Sequence, residues 1–353
     1  MFFKPWILNG VLIDSPKAID RLDDSFFTQA PENLKQWIVG LYTSAEDPGS
    51  LITLKSSGST GTPKQIKVGV EDLVASADLS ILVFGIHSNS KLLLCLPLSG
   101  VGGLMVLVRA MRAGAELITT LDQADPLKHI EEQVDVVSLT PQQLYTSIDV
   151  LGRSKTILVG GAPLQQNRLG GLNGFNGRII ESYGMTETLS HIALRERYPV
   201  NQPYFKAIGD VYFELDSRGA LGIYTPHLTQ KFHQTNDRAH LFNATEIEVL
   251  GRLDGMINSG GVKIDPSRIR LILESNHWPY SFLVTASPHA TLGEQLTLLV
   301  KGDSLDAVAL LTELSNFEWP KYHKPKKILC VPDFVYTHSG KVDVKRTLEL
   351  HLK

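Results

Sequence analysis

Residues 91–119 read KLLLCLPLSGVGGLMVLVRAMRAGAELIT. The run at 92–96 is short, apolar and closed by Pro97, which is the form of a buried strand. Apolar residues at helical spacing follow over 103–112, and 116–119 is a second strand-like run. Strand, helix and strand within thirty residues predict a βαβ unit, and such units build a largely parallel sheet covered on both faces.

The same rhythm runs outward from this stretch. Upstream, 70–84 has helical spacing. Downstream, helices expected at 126–132 and 141–150 alternate with strands at 134–139, 156–159 and 178–181. Ligands of such sheets sit at the carboxyl ends of the strands. The polar and Gly-rich pieces fall there: 97–103, Thr140-Pro141, Gly160-Gly161-Ala162-Pro163 and 182–187.

Towards the N-terminus, 6–8 and 11–13 read as a hairpin turning at Asn9-Gly10, and 34–41 as an amphipathic helix. Past residue 208 the texture changes to hairpins, 211–215 with 221–224 and 240–243 with 246–250. From about 255 a small α+β unit is expected, with helices at 266–273, 305–314 and 346–352 and strands at 282–286, 295–300 and 326–331. A chain of 353 residues is long enough for two domains. The expected class is α/β: a large domain, 1–253, with mostly parallel sheets flanked by helices plus a β-rich subdomain, and a small mobile α+β domain, 254–353.

Composition excludes several classes. With 43% hydrophobic and 20% charged residues and a net charge of -3, no basic nucleic-acid surface is expected. Cys95 and Cys330 lie far apart in apolar runs and read as buried thiols of a reducing compartment. No apolar run reaches the roughly 20 residues that span a bilayer, and the N-terminal stretch lacks a cleavage site. A cytoplasmic address without membrane partners is the expectation; a homo-oligomer is left open.

Six spots carry chemistry. Ser56 to Lys64, SSGSTGTPK, packs two glycines, five hydroxyls and a lysine between two strand-like runs. Backbone N–H groups and a cation in such a loop suit a polyphosphate. No Ser or Thr follows the lysine, so it is not the Walker loop; the bland reading is a flexible surface turn. In YGMTE (183–187), taken to follow a strand end, a hydroxyl beside a carboxylate suits a phosphate oxygen and a magnesium ion. Asp237, placed in a polar turn with Thr235 and Asn236, suits two ribose hydroxyls, or simply forms the turn. GRLDG (251–255) joins the two units, SGGVK (259–263) opens the second, and Ser339-Gly340-Lys341 sets a lysine on a glycine-backed turn.

Taken together and in this order, the motifs resemble those of the adenylate-forming enzymes: acyl-CoA synthetases, luciferase-like enzymes and peptide-synthetase adenylation domains. The resemblance runs from about Leu51 to the end. Within it, LPL…GG and YGMTET…H are most similar to the o-succinylbenzoate–CoA ligases of menaquinone biosynthesis, in a shortened form. This chain departs from the pattern in three ways: a short segment precedes the phosphate loop, no histidine follows Pro97-Leu98, and Asn236 stands where glycine is usual. A ligase for another aromatic or fatty acid, and a non-catalytic adenylate-binding homologue, are the alternatives.

The resemblance implies ATP, Mg2+ and coenzyme A as ligands with a small carboxylic acid. Ser57, Gly58, Ser59, Thr60, Gly61, Thr62 and Lys64 would hold the β- and γ-phosphates. Thr186 and Glu187 would serve the α-phosphate, with Glu187 on the metal, and Lys341 would be the catalytic cation. Adenine would lie along Gly160, Gly161, Ala162, Pro163, Tyr183 and Gly184, and the ribose on Asp237 with Arg252. Asp254 would be the hinge, after which Gly260 and Gly261 face the CoA step. Ser99, Ser190, His191 and Arg195 would line the acid pocket.

Overall fold

The computed structural model describes residues 2–28, 30–47, 49–55, 64–122, 124–170, 172, 174–337 and 342–352, with the backbone alone at 167. Leu92, Leu93 and Leu94 are all buried, yet they serve different cores. Leu92 and Leu94 face a cluster with the helices Leu34–Glu46, Val70–Phe84 and Val101–Ala113. Leu93 and Cys95 face a second cluster built from Val137, Leu144, Ile157 and Val159. Successive strand residues point to opposite faces, so an all-leucine strand needs a core on each side.

Among the described residues, thirteen strands form one sheet. Its parallel half runs Trp6–Leu8, Glu116–Thr119, Lys91–Leu94, Val134–Leu139, Ser154–Val159, Arg178–Met185. Strand Arg178–Met185 then pairs antiparallel with Ser190–Tyr198. Phe205–Ala207, Glu246–Arg252, Phe232–Asn243, Ala220–Tyr224 and Tyr212–Leu215 continue the antiparallel half. The β-rich part expected past residue 208 thus extends the same sheet. The N-terminal hairpin forms as expected, Trp6–Leu8 with Val11–Ile13.

Two expected elements differ. Residues 126–132 form turns. Leu127 and Ile130 are buried, so the apolar spacing is real, but the Asp122 carboxylate accepts the backbone N–H groups of Ala124 and Asp125 and holds the entry as a turn. Helix Pro141–Thr146, started by a Thr140–Gln143 capping box, gives way to a 3-10 segment, Ile148–Arg153.

Strands Leu51–Lys55 and Gln65–Gly69 pair as a separate hairpin, and the loop 56–63 between them lies outside the described residues. Beyond Gly255, Ile257–Ser259, Val262–Ile264, Phe282–His289, Gly293–Lys301 and Lys327–Val331 make a second sheet. It has its own core of Ile269, Leu273, Trp278, Phe282, Leu298 and Leu314. Among the described residues, no helix is long and apolar enough to cross a membrane.

Candidate active site

Strand Ser154–Val159 ends at Gly160, whose backbone lies against the next strand. A Cβ on Gly160 would meet the Ser182 hydroxyl at 2.5 Å, and that hydroxyl donates to the Val159 carbonyl at 3.0 Å. Gly161 follows with φ of +86°. A side chain at Gly160 would crowd the Ser182 hydroxyl, and the positive φ of Gly161 is one that L side chains rarely adopt. Ala162 and Pro163 are exposed beside it.

The YGM segment continues strand Arg178–Met185 and does not follow its end. Tyr183 and Met185 pair with Ala193 and Ser190, and so carry the strand through. Gly184 is required by this pairing, since a Cβ there would meet the Ser190 carbonyl oxygen at 2.0 Å. Thr186 and Glu187 occupy the turn to the next strand. The buried Thr188 pins that turn, accepting from the Met185 N–H at 3.0 Å and donating to the Ser190 carbonyl at 2.9 Å. Glu187 is thereby held, half-buried, at the carboxyl end of the sheet. Among the described residues, no group of three His, Cys, Asp or Glu side chains could hold a metal ion. A lone carboxylate fits a magnesium ion that keeps water and takes its remaining ligands from phosphate.

Asp237 does not sit in a turn. It lies inside strand Phe232–Asn243, only 8% exposed, opposite Arg252. The Asn-Asp pair reads as a turn in sequence, but here the ladder supplies the local hydrogen bonds. Tyr183 Oη donates to Asp237 Oδ2 at 2.6 Å, and Arg252 Nη1 donates to Oδ1 at 3.1 Å. Burial first, and then the Asp237 charge, push the Tyr183 phenol well above its usual pKa. Arg252 also grips Asp254 through Nε and Nη2, each at 2.7 Å. That bond holds the Asp254 carboxyl below the usual carboxylate range. Asn236 joins Asp254 at 3.4 Å. Tyr183, Asp237, Arg252 and Asp254 therefore form one continuous network.

Ser190 and His191 meet two helices. The His191 ring nitrogens lie 3.0 Å from Ser80 Oγ and 3.2 Å from Ser190 Oγ, and Phe84 packs edge-on to the ring. Arg109 Nη2 donates to Ser190 Oγ at 2.7 Å. Arg109 was not singled out in the sequence, although one cation inside the apolar run LMVLVRAM marks a buried charge. It is 4% exposed, and among the described residues its Nε has no hydrogen-bond partner and it makes no carboxylate pair. Burial lowers its pKa to about 10, so it stays charged at neutral pH. Burial, and then Arg109, hold His191 well below the usual histidine value.

Arg195 is not part of this group. It pairs with Glu181 at 2.8 Å and donates to the Pro203 carbonyl at 3.0 Å. Ser99 lies elsewhere again, on a cavity of about 550 Å³ with Trp37, Ile52 and Leu98. Lys64 is exposed at the start of strand Gln65–Gly69. Gly260 and Gly261, with φ of +58° and +83°, turn the hairpin that opens the second sheet. Ser57, Gly58, Ser59, Thr60, Gly61, Thr62 and Lys341 lie outside the described residues. The flanks of Lys341 are described: Tyr336 bridges Val342, and Tyr336 Oη donates to Gln142 at 3.2 Å. Gln142 opens the helix at the carboxyl end of Val134–Leu139, so those flanks sit beside the same sheet edge.

A parallel sheet with a glycine-cradled edge, continued by antiparallel strands that bring a buried carboxylate to a tyrosine beside that edge, is the arrangement of the adenylate-forming class. Residues 17–216 match the AMP-binding enzyme family, and the chain belongs to it. It is similar to the 2-succinylbenzoate–CoA ligase of Enterococcus faecalis, 24% identical over 94% of this chain and 76% of that one. The ligase of the same name from Oceanobacillus iheyensis is 26% identical over 95% and 79%. Among solved structures, an acyl-CoA synthetase (AMP-forming)/AMP-acid ligase II-like protein from Dyadobacter fermentans is 28% identical and covers 95% of this chain and 98% of that one, with a TM-score of 0.56. The O-succinylbenzoate coenzyme A synthetase of Bacillus subtilis, in complex with ATP and magnesium ion, shares the fold at 21% identity and a TM-score of 0.70, covering 84% and 69%.

Proposed function

We propose that this chain is an ATP-dependent ligase that adenylates o-succinylbenzoate and transfers the acyl group to coenzyme A. The observation that carries the choice of acid is Arg109. A buried guanidinium without a carboxylate is costly, because its solvation is lost and nothing replaces it. An acid with a second carboxylate would repay that cost on binding, through a charge-assisted fork at Arg109 with Ser190 and His191 beside it. A fatty acid would leave the cation unpaired. Relatives named for this acid support the reading.

In the first step a carboxylate oxygen of the acid attacks the α-phosphorus of ATP, and pyrophosphate leaves. In the second the CoA sulfur attacks the acyl carbonyl, and AMP leaves. Both steps bring anions together, so positioning and charge neutralisation dominate. The ribose hydroxyls would replace Tyr183 or share Asp237 with it, while Arg252 holds the far oxygen. Adenine would lie on the 160–163 backbone, with the triphosphate along 56–64 and Thr186. Magnesium, held by Glu187 and phosphate, would supply charge neutralisation. Lys341 would bridge the acid carboxylate and the α-phosphate in the first step. Residues 254–353 would then turn about Asp254 as a separate domain and bring Gly260 and Gly261 to the site.

The test is ATP–pyrophosphate exchange with an acid panel, followed by mass detection of adenylate and thioester. Exchange dependent on o-succinylbenzoate, with weak response to the analogue lacking the ring carboxylate, is expected. Equal response to the two acids would remove the dicarboxylate from the reading.

A further inference from the structure

Arg195 was expected in the acid pocket, and its surroundings give it other work. Glu181, 3% exposed, lies two residues before Tyr183 on the same strand. Its Oε1 accepts the Leu164 backbone N–H at 3.1 Å, directly after the 160–163 loop. Its Oε2 takes Arg195 Nη2 at 2.8 Å and Nε at 3.2 Å, and Arg197 stands 3.5 Å away. Arg197 in turn donates to Gln166 at 2.8 Å, a second tie to the segment leaving the loop. The Arg195 guanidinium lies 4.4 Å from the centre of the Phe205 ring, and that ring packs 5.9 Å from Tyr183.

Arg195 therefore supports both borders of the proposed adenine place, the loop through Glu181 and Tyr183 through Phe205. Nε and Nη2 converge on the one oxygen Oε2, while Oε1 is left to the Leu164 N–H, so the guanidinium edge is oriented as well as placed. A carboxylate that only balanced charge would not need to receive a backbone N–H at the loop. We infer that Glu181 and Arg195 are positioning residues for the nucleotide base, setting the 160–163 backbone and the Tyr183 ring before the ligand arrives. The inference rests on the proposed nucleotide site. Preorganisation of this kind acts on affinity, since a loop already in place loses less freedom on binding.

The experiment uses the full chain, with Glu181→Gln and Arg195→Lys against wild type. AMP affinity by calorimetry, inhibition by inorganic pyrophosphate, and KM for ATP and for the acid are measured. Glu181→Gln keeps an acceptor for Leu164 and loses the charge that holds Arg195. AMP affinity should fall about 10-fold and KM for ATP rise to match, the size of one charge-assisted hydrogen bond. Pyrophosphate inhibition, acid KM and kcat at saturating ATP should stay within about two-fold, the pattern of lost ground-state binding. Arg195→Lys, which keeps charge but not the fork, should show a smaller loss in the same parameters. It decides the matter if Glu181→Gln fails to fold. Unchanged AMP affinity, or a fall in kcat with both KM values unchanged, would overturn the positioning role. A rise in acid KM alone for Arg195→Lys would return Arg195 to the acid pocket. Absence of AMP binding by the wild type would instead remove the nucleotide site itself.

Discussion

The Arg109 guanidinium donates to the Ser190 hydroxyl at 2.7 Å, while among the described residues its own Nε meets no acceptor. A helix that is otherwise a wall of the core thus ends one of its turns in a charge that no described carboxylate neutralises. This is an arrangement that stability alone would remove.

Replacing Arg109 with Met should therefore separate stability from activity. The ligand-free protein should gain about 1 kcal/mol or more, because an unpaired buried charge is exchanged for an apolar side chain of similar length. KM for the diacid should rise about 100-fold, and discrimination against the analogue lacking the ring carboxylate should vanish. Calorimetric melting and paired kinetics measure the two effects. A lower melting temperature with unchanged KM would make Arg109 a structural residue.

His191 sets a pH dependence. It faces Ser80, Ser190, Phe84 and Arg109, and its folded pKa is lowered by burial and then by Arg109. The unfolded chain takes up a proton near pH 6.5 that the folded chain refuses. Stability is thus full above about pH 6.5 and falls as pH drops, by at most about 1.4 kcal/mol per unit for one histidine. His227 and His233, also lowered by burial, act with the same sign. Urea midpoints at pH 7, 6 and 5 should show this fall, and His191→Gln should flatten part of it. An unchanged slope would mean that His191 is protonated in the fold.

Lys341→Ala should slow adenylate formation about 100- to 1,000-fold, the scale of one lost transition-state donor. Thioester formation from pre-made adenylate should be nearly untouched. The Tyr336–Gln142 bond puts the flank of this lysine at the sheet edge where the first step is proposed. Equal loss in both half-reactions would contradict a lysine used in one step only.

Two glycines should respond in opposite directions. Gly184→Ala drives a Cβ to within 2.0 Å of the Ser190 carbonyl and should cost about 3 kcal/mol, the upper end for overpacking. Gly40→Ala, inside helix Leu34–Glu46 with nothing within 4 Å, should stabilise by up to about 1 kcal/mol. Denaturant unfolding of both variants tests the local geometry of strand and helix together.

The parallel half of the sheet was legible because 92–96, 116–119, 134–139 and 156–159 are apolar runs with two buried faces, a pattern few other structures produce. The end of Arg178–Met185 was not legible: Tyr183-Gly184-Met185 sets a glycine between two side chains, which reads as loop. Asp237 was expected in a turn, and it lies inside a strand. Asn236-Asp237 carries the residues of a turn, and its ladder partners, Arg252 15 residues away and strand Ala220–Tyr224 on the other side, make it a strand. Arg109 and Glu181 were missed for a common reason: each takes its meaning from residues far along the chain, Ser190 for one and Leu164 and Arg195 for the other.

Strand Arg178–Met185 is bonded parallel on one side and antiparallel on the other, so Gly160 and Asp237 ride on a single hydrogen-bonded lattice. The proposed seats for base and ribose cannot drift apart unless that lattice shears. Residues beyond Asp254 touch it through side chains such as Arg238 on Asp265 and Tyr336 on Gln142. Changes at those contact points leave the lattice under the two proposed seats in place.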